Sequence, residues 1–232
     1  KGSTSGLARL RWCRRDMRLE STQPRASAIP FPFKKPGSVS RPVLHHVKKR
    51  GKTRRAAILE NANMMKVILG TGQLGMAIME VLLQNNPDEK ILMLSRTGKL
   101  DAPLPRNVEI MAADVTEKND MEAIAQRAEV IFSCTDVPYP SWDKFYPATA
   151  AALALALSKS STKLVFADNM YSYGNVSGAD MHEGLPHQAH TKKGQIRASV
   201  IHILLQSGQA FSDRVAFVKA ADFIGPRVYK GV

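Results

Sequence analysis

The sequence predicts an α/β fold in which helices cover both faces of one parallel sheet. The first observation is a glycine-rich turn, Gly70-x-Gly72-x-x-Gly75, that follows an apolar strand and opens a helix. The second is a regular alternation of apolar strand segments with helical segments from residue 65 onward. Strands that alternate with helices of this length are joined by right-handed crossovers, and such crossovers build a parallel sheet.

Each element is predicted from its hydrophobic period and its flanking residues. Short apolar runs predict buried strands, and the recurrence of Leu74, Ile78, Val81 and Leu82 predicts one face of a helix. That helix is expected to end at Asn86-Pro87. The predicted strands are 66–69, 90–95, 108–112, 129–133, 163–167 and 214–220, and the predicted helices are 74–85, 119–127, 141–159 and 192–206. This order is typical of a Rossmann-type doubly wound parallel sheet.

The glycine turn predicts a dinucleotide site. Gly70 permits a tight reversal, Gly72 lets the backbone approach a pyrophosphate, and Gly75 allows close packing of helix on strand. The helix then points its N-terminal N–H groups at the phosphates. The predicted cofactor-binding residues of this segment are Gly70, Gly72, Gln73, Leu74 and Gly75.

The end of the second predicted strand indicates which dinucleotide binds. In such folds a carboxylate about 20 residues beyond the glycines binds the ribose 2′-hydroxyl. Here Ser95 and Arg96 offer a hydroxyl and a guanidinium, the groups that suit a 2′-phosphate. We therefore expect NADP, with NAD as the alternative cofactor. The competing interpretation is a solvated arginine at the end of a strand.

Two more pairs follow strands at the edge of the sheet where ligands bind. Asp114 and Val115 follow the third strand, where an adenine ring would lie, although Asp114 could equally cap the next turn. Cys134 and Thr135 follow the fourth strand. We expect Cys134 to be a packing residue rather than a nucleophile, because no base is near it in sequence.

These features together resemble the NAD-dependent epimerase/dehydratase family, within the extended or atypical short-chain dehydrogenases/reductases. The resemblance covers residues 65 to about 227, and it is carried by the glycine turn, Asp114-Val115, the segment 165–174, Lys193-x-x-x-Arg197 and the segment 221–226. It implies a nicotinamide cofactor and hydride transfer to or from a carbonyl or hydroxyl group. The implied substrate is a small molecule, sugar-nucleotide-like or another carbonyl compound. The family's C-terminal substrate domain is expected to be largely absent from this chain.

The chain departs from this family at the proton-transfer residues. Family members use a Ser or Thr after the fifth strand and a Tyr-x-x-x-Lys pair on the next helix. Here Asn169 stands at the first position, and Ala189 stands four residues before Lys193. The turn is also GxGxxG rather than GxxGxxG, which indicates an atypical subgroup. Tyr171 and Tyr173, on the loop after the fifth strand, are the remaining candidates for the proton donor, although either ring could simply pack locally.

Two functions are consistent with these residues. The first is an NAD(P)-dependent oxidoreductase or epimerase-like enzyme. In it Tyr171 or Tyr173 moves the proton, Lys193 lowers its pKa and binds the cofactor, and Asn169 orients the substrate carbonyl. The second is a catalytically inactive NADP-binding regulator or redox sensor that kept the cofactor site and lost the tyrosine. Ala189 is the residue that separates the two hypotheses.

The positive charge of the chain is concentrated ahead of the predicted domain. Residues 1–64 hold 16 Lys and Arg against 3 Asp and Glu, whereas residues 65–232 hold 17 of each. We therefore expect no nucleic-acid binding through the domain. Scattered prolines and weak apolar periodicity predict that 1–64 is disordered, with at most a short helix at 54–61.

Residues 1–64 have several interpretations. They resemble an organellar transit peptide, and a basic segment could also bind nucleic acid or anionic lipid. Lys1 is not an initiator residue, and Met64-Met65 lies directly before the first strand. These facts favour the interpretation that the segment is not part of the natural protein. Residues 65–232 are then expected to be an NAD(P)-binding domain truncated at its C-terminus.

The cysteines and the apolar runs bear on location. Cys13 and Cys134 are the only cysteines of the chain, so we expect neither a structural disulfide nor a metal site. No run reaches the about 18 to 20 apolar residues that a membrane-spanning helix needs. The expectation is a cytoplasmic protein without a membrane partner, for which an oligomer is compatible with the sequence.

Overall fold

The computed structural model describes residues 64–101, 103–178, 180–206 and 210–225. The strands in these ranges are β1 Met65–Leu69, β2 Ile91–Ser95, β3 Val108–Ala112, β4 Ala128–Ser133, β5 Lys163–Asn169 and β6 Val215–Ala220. The helices are α1 Gln73–Asn85, α2 Lys118–Ala125, α3 Trp142–Ser158 and α4 Lys192–Leu205. The predictions for residues 1–63, which include the helix at 54–61, lie outside the described residues.

The strands form one parallel sheet in the order β3-β2-β1-β4-β5-β6. The central strand β1 pairs with β2 on one side and β4 on the other, so that Val67 lies opposite both Leu92 and Ile131. The predicted Rossmann-type doubly wound sheet is confirmed. The winding reverses between β1 and β4, and ligands of such folds bind in the crevice at the carboxyl ends of the strands there.

One face of the sheet is covered by α2, α3 and α4. The alanine- and leucine-rich sequence of α3 allows a close approach, and Ala150, Leu153 and Leu157 are fully buried against β-strand residues such as Val67 and Leu164. Burying one such aliphatic side chain contributes about 1.5 to 3 kcal/mol. This layer fixes the position of α4, whose first turn reaches the edge of the crevice.

The other face packs against α1, and here the predicted helix face was partly wrong. Val81 is 53% exposed, whereas Met79 is only 5% exposed and packs with Ile68 and Met93. The cause is the close approach at Gly75, where an added Cβ would collide with the carbonyl oxygen of Gly70. Because Gly75 must face the sheet, the buried side of the helix runs from Gly75 through Met79, and Val81 points outward.

The predicted element ends agree with the structure to within two residues. The largest difference at the sheet edge is in β5, which continues to Asn169 because its last residues pair with β6 as far as Ala220. Tyr171–Tyr173, expected as part of a loop, form a short 3-10 helix directly after β5. Within the described ranges, no helix has both the length and the apolar character needed to cross a membrane.

Candidate functional site

The glycine turn is held tightly between the ends of β2 and β4. Gly70 has φ +107°, a conformation that L side chains rarely adopt, and an added Cβ would lie 3.1 Å from the carbonyl oxygen of Cys134. Its N–H donates to the carbonyl of Leu94 at 2.9 Å. Gly70 and Gly75 therefore serve the packing of the turn itself.

Gly72 has a different environment, which suits an anionic ligand. It is the N-cap of α1, and no side chain of the described residues accepts a hydrogen bond from the first turn. A Cβ at Gly72 would meet no described atom within 4 Å. The side-chain oxygen of Gln73 is buried without a hydrogen-bond partner among the described residues. Free N–H groups at a helix N-terminus that face open space are the usual elements of a phosphate site.

A cavity of about 420 Å³ lies beside this turn, and we call it the glycine-turn cavity. Most of the residues predicted to bind the cofactor line it, namely Gly70, Gly72, Gln73, Leu74, Ser95, Arg96, Asp114, Val115, Cys134 and Thr135. Gly75 packs beneath the turn instead, and Lys193 lies elsewhere. Lining residues that the sequence analysis missed include Thr97, Lys99, Asp136 and Phe145.

Two cations face this cavity from the loop after β2. The hydroxyl of Ser95 accepts a hydrogen bond from the N–H of Gly98 at 3.0 Å, and Gly98 has φ +64°. This turn brings Arg96 and Lys99 to the same cavity wall. The arrangement offers two cations where the sequence analysis expected one, and cations of this kind bind phosphate oxygens.

Asp114 both caps its turn and lines the cavity. Its carboxylate accepts hydrogen bonds from the hydroxyl of Thr116 at 2.7 Å and from the Thr116 N–H at 2.8 Å. These bonds lower the pKa of Asp114. The carboxylate is therefore ionised and fixed in place at the predicted adenine end of the cavity.

Cys134 is a packing residue, as its sequence context indicated. Burial raises the pKa of its thiol to about 12, so that thiolate is scarce near neutral pH. Its side chain packs against the apolar cluster beneath α1. Cys134 and Thr135 also line a second cavity, so the two cavities are adjacent, and we call the pair the cleft.

The second cavity measures about 620 Å³ and has an aromatic wall, and we call it the aromatic cavity. The ends of β4 and β5, the start of α3 and the middle of α4 supply its lining. Polar and aromatic lining residues are Thr135, Asp136, Tyr139, Trp142, Tyr146, Asp168, Asn169, Tyr171, Arg197, Asp222 and Phe223. Asn169 and Tyr171 were predicted from the sequence as catalytic, and the rest of this set, apart from Thr135, were not assigned a role there.

Lys193, Tyr139 and Tyr171 meet beside the aromatic cavity, which the two tyrosines line and the exposed Lys193 does not. The Lys193 Nζ lies 3.2 Å from the centroid of the Tyr139 ring, and the hydroxyls of Tyr139 and Tyr171 are 3.3 Å apart. The Tyr139 hydrogen bond raises the pKa of Tyr171, and the positive charge of Lys193 acts in the opposite direction. Sequence reasoning missed Tyr139, since it follows a different strand from Tyr171.

The two predicted tyrosines have different surroundings, because they sit on a 3-10 helix rather than an extended segment. Tyr173 is buried and does not line the aromatic cavity, and its ring lies 4.9 Å from that of His187. Burial raises the pKa of Tyr173. The structure thus brings Tyr171 to the Lys193 cluster and places Tyr173 in a packing contact.

The start of α4 places Lys193 against Tyr139, outside the lining of the aromatic cavity. Thr191 caps the helix by accepting the Gly194 N–H at 3.2 Å. A Cβ added at Gly194 would lie 2.5 Å from the carbonyl oxygen of Tyr171 and would also collide with Ala189. Gly194 therefore allows the helix start to contact the 3-10 helix directly. Asn169 orients the same segment, because its side-chain oxygen accepts the Tyr171 N–H at 3.1 Å.

A buried ionic cluster forms the floor of the aromatic cavity. Asp168 is 2% exposed and pairs with the Arg197 Nε at 2.7 Å and with the Lys219 ammonium. Lys219 also donates to the Ser172 hydroxyl at 3.0 Å. The Arg197 guanidinium lies 4.1 Å from the centroid of the Tyr146 ring. The cluster joins β5, the 3-10 helix, α4 and β6, and thereby fixes the shape of the site.

In the part of the chain that the structure describes, no group of three or more His, Cys, Asp or Glu residues is placed to hold a metal ion. The two cavities are lined by phenol, ammonium, guanidinium, amide and carboxylate side chains, beside a helix start suited to a phosphate-bearing ligand.

Comparison with known proteins identifies this fold among solved structures. No protein-family model matches the chain, and no curated protein matches it in sequence. The dTDP-glucose 4,6-dehydratase of Bacillus anthracis in complex with NAD is similar over 72% of this chain, with 19% identity and a TM-score of 0.60. The Bordetella bronchiseptica enzyme WbmG in complex with NAD and UDP is similar over 73%, with 19% identity and a TM-score of 0.60. A UDP-galactose 4-epimerase is similar over 72%, with 16% identity and a TM-score of 0.57.

Two of these neighbours are a dehydratase and an epimerase, the kinds of enzyme that the sequence resemblance names, and all three confirm the fold that the resemblance implies. The matched region spans 57%, 56% and 59% of the three neighbouring chains, respectively.

Proposed function

We propose that this chain binds a nicotinamide dinucleotide and belongs to the NAD-dependent epimerase/dehydratase type of oxidoreductase. The observation that carries the proposal is the open helix start at Gly72, which lies at the glycine-turn cavity, next to the aromatic cavity that Tyr171 lines. Two of the neighbouring structures contain NAD, which supports the same class of cofactor. A catalytic role and the identity of the substrate are part of the proposal.

The lining residues suit the separate parts of such a cofactor. The N–H groups after Gly72 would hold the pyrophosphate, Asp114 and Val115 would face the adenosine, and Arg96 with Lys99 would contact a 2′-phosphate. The two cations favour NADP over NAD. The nicotinamide half would then lie toward Thr135 and Asn169, where the glycine-turn cavity meets the aromatic cavity.

The aromatic cavity would carry the chemistry. When bound, the nicotinamide ring supplies the hydride donor or acceptor for a carbonyl or hydroxyl substrate. Tyr171 would give or take the proton at the substrate oxygen, and the Asn169 side chain at the cavity wall would orient the carbonyl. Lys193 would favour the ionised phenol through its positive charge. Two of the neighbouring enzymes, the dTDP-glucose 4,6-dehydratase and the UDP-galactose 4-epimerase, are named for sugar nucleotides, and such a compound is our candidate substrate class.

The second candidate is a dinucleotide-binding regulator without catalysis. Ala189 favours it, because no tyrosine stands four residues before Lys193 on α4. A redox sensor that uses Cys134 is a weaker form of this candidate, since burial keeps that thiol protonated. Turnover of a panel of carbonyl compounds and sugar nucleotides with NADPH separates the enzyme from the regulator.

Gly72→Val tests cofactor binding directly. The backbone of Gly72, with φ −73° and ψ −175°, is open to any L residue, and an added Cβ contacts no described atom within 4 Å. The variant should therefore fold normally and lose NADPH binding, because its side chain enters the phosphate path. Fluorescence titration of NADPH measures this loss.

Gly225→Val is the matched control, since Gly225 has the same open surroundings and lines neither cavity. It should bind NADPH like the parent chain. Parental affinity in the Gly72 variant would remove the glycine turn from the proposed site.

A further inference from the structure

Tyr139 is the first residue of the short 3-10 helix Tyr139–Ser141, which leads into α3. Its ring and its hydroxyl make two separate contacts at the aromatic cavity. The ring faces the Lys193 ammonium at 3.2 Å from the centroid, and the hydroxyl faces that of Tyr171 at 3.3 Å. One side chain thus contacts both the cation and the phenol that the proposed function uses.

The ring contact fixes a flexible cation. A lysine side chain has about 2 kcal/mol of rotamer entropy, so the exposed ammonium of Lys193 needs a partner to stay in one place. An ammonium above the face of a tyrosine ring is attracted by the ring quadrupole, worth about 0.5 to 1 kcal/mol at exposed sites. Trp142 supports the Tyr139 ring from the side, with the two centroids 4.8 Å apart.

The hydroxyl contact acts on the pKa of Tyr171. At 3.3 Å the oxygens are farther apart than in the commonest O–H···O bonds, as is usual for catalytic hydrogen bonds before a ligand is bound. When one phenol of such a pair ionises, the other can donate to it, and the second proton is then harder to remove. Tyr171 is the phenol whose pKa is raised, and the largest cause is its hydrogen bond with Tyr139.

We propose that Tyr139 is a positioning residue for proton transfer, which holds the Lys193 ammonium with its ring and the Tyr171 hydroxyl with its own hydroxyl. The proposal rests on the proposed function. It gives the chain a substitute for the helical Tyr-x-x-x-Lys pair, assembled from the segment before α3, the 3-10 helix after β5 and the first turn of α4. The other charged group that acts on Tyr171 is Asp222, which raises its pKa and follows β6.

Titration of single tyrosines tests the proposal without substrate or cofactor. The chain has five tyrosines, and carbon-13 labels at Cζ report each phenol by NMR once Tyr→Phe variants have assigned the signals. Tyr139→Phe keeps the ring and removes the hydroxyl. The pKa of Tyr171 should fall in this variant, because the hydrogen bond and the charge of Tyr139 that raise it are gone and the Lys193 charge remains.

Tyr139→Leu tests the contact between the Tyr139 ring and the Lys193 ammonium, because this variant removes the ring as well as the hydroxyl. The pKa of Tyr171 should then lie above its value in Tyr139→Phe. Tyr173→Phe is the control, since Tyr173 packs against His187 and should leave the Tyr171 titration unchanged. An unchanged pKa of Tyr171 in Tyr139→Phe would overturn the proposal, as would equal values in the Phe and Leu variants. Because NADPH binding is measured separately at Gly72, these outcomes are independent of a failure to bind cofactor.

Discussion

The three glycines of the turn have two different roles: two are needed for the packing of the fold, and one leaves space for a ligand. Gly70 and Gly75 lie against backbone atoms of neighbouring segments, so their substitution strains the fold. Gly72, in the same turn, has open space beside it. One short motif therefore contains both packed glycines and an open glycine, and only the structure shows which position is which. Effects on binding and effects on stability can accordingly be assigned to different positions of the turn.

Arg96 is the residue at which the choice of cofactor can be tested. Replacing Arg96 by Ala should weaken NADPH binding by about 1.5 to 3 kcal/mol, the range for a hydrogen bond to a charged group, and affect NADH much less. Parallel titrations with both cofactors measure the difference. Arg106→Ala is the matched control, since it removes an arginine that is highly exposed and pairs only loosely with Asp88 at 3.7 Å. Equal losses for NADPH and NADH in Arg96→Ala would show that this side chain does not contact a 2′-phosphate.

At the scale of elements, the local signals were sufficient for the fold. Strands appeared as apolar runs and helices ended at turn residues, so the bounds follow from neighbouring residues alone. The rotation of α1 could not be predicted in this way, because a contact between Gly75 and Gly70 sets it and moves Val81 outward. Hydrophobic period identifies a helix, whereas tertiary contact selects the face that is buried.

The site was predictable only where it is local in sequence. The glycine turn and the pairs at strand ends were found because each lies within a few residues. Asp168 and Lys219 are 51 residues apart and meet through the register of β5 with β6. Tyr139 reaches Lys193 through the packing of the segment before α3 against α4. Lys219, a lysine in an otherwise apolar strand, was a sequence signal for its pairing with Asp168. No comparable sequence signal indicated the contact of Tyr139 with Lys193.

The ionic cluster that joins β5, α4 and β6 leads to a prediction about stability. Asp168→Asn should lower the free energy of unfolding by about 3 to 5 kcal/mol, because Arg197 and Lys219 lose the carboxylate that compensates their burial. Urea unfolding measures the change. Glu129→Gln is the control, since it breaks an ion pair with Lys66 in which the glutamate is 52% exposed, and it should cost no more than about 1 kcal/mol. Similar losses in both variants would contradict this role of the cluster.

At the scale of the whole molecule, the charge divides the chain into two parts. Residues 1–64 carry the entire net charge of +13, and the rest of the chain is balanced. Among the residues that the structure describes, the apolar side chains that build the two packed faces of the sheet begin at Met65. Net charge of the complete chain is therefore a poor guide to what the α/β domain binds.

A chain that begins at Met65 should keep its thermal midpoint and its affinity for NADPH, because the core and both cavities are built from later residues. Thermal unfolding and NADPH titration of the two chains test this. A fall of more than about 4 °C, which corresponds to roughly 1 kcal/mol or more for a domain of this size, would show that the first 64 residues stabilise the domain.

Because Lys219 lies in β6, the last strand of the described sheet to be synthesised, the parts of the cleft fold in a definite order during synthesis. The ribosome makes the glycine turn, Asp168 and Arg197 before it reaches β6, which adds at the edge of the described sheet. A nascent chain that has emerged only through α4 can form the glycine-turn cavity, but its Asp168 has one of its two cations. The floor of the aromatic cavity is completed only when β6 pairs with β5, so the half of the cleft that would hold the phosphates is ready earlier than the half that would hold the substrate.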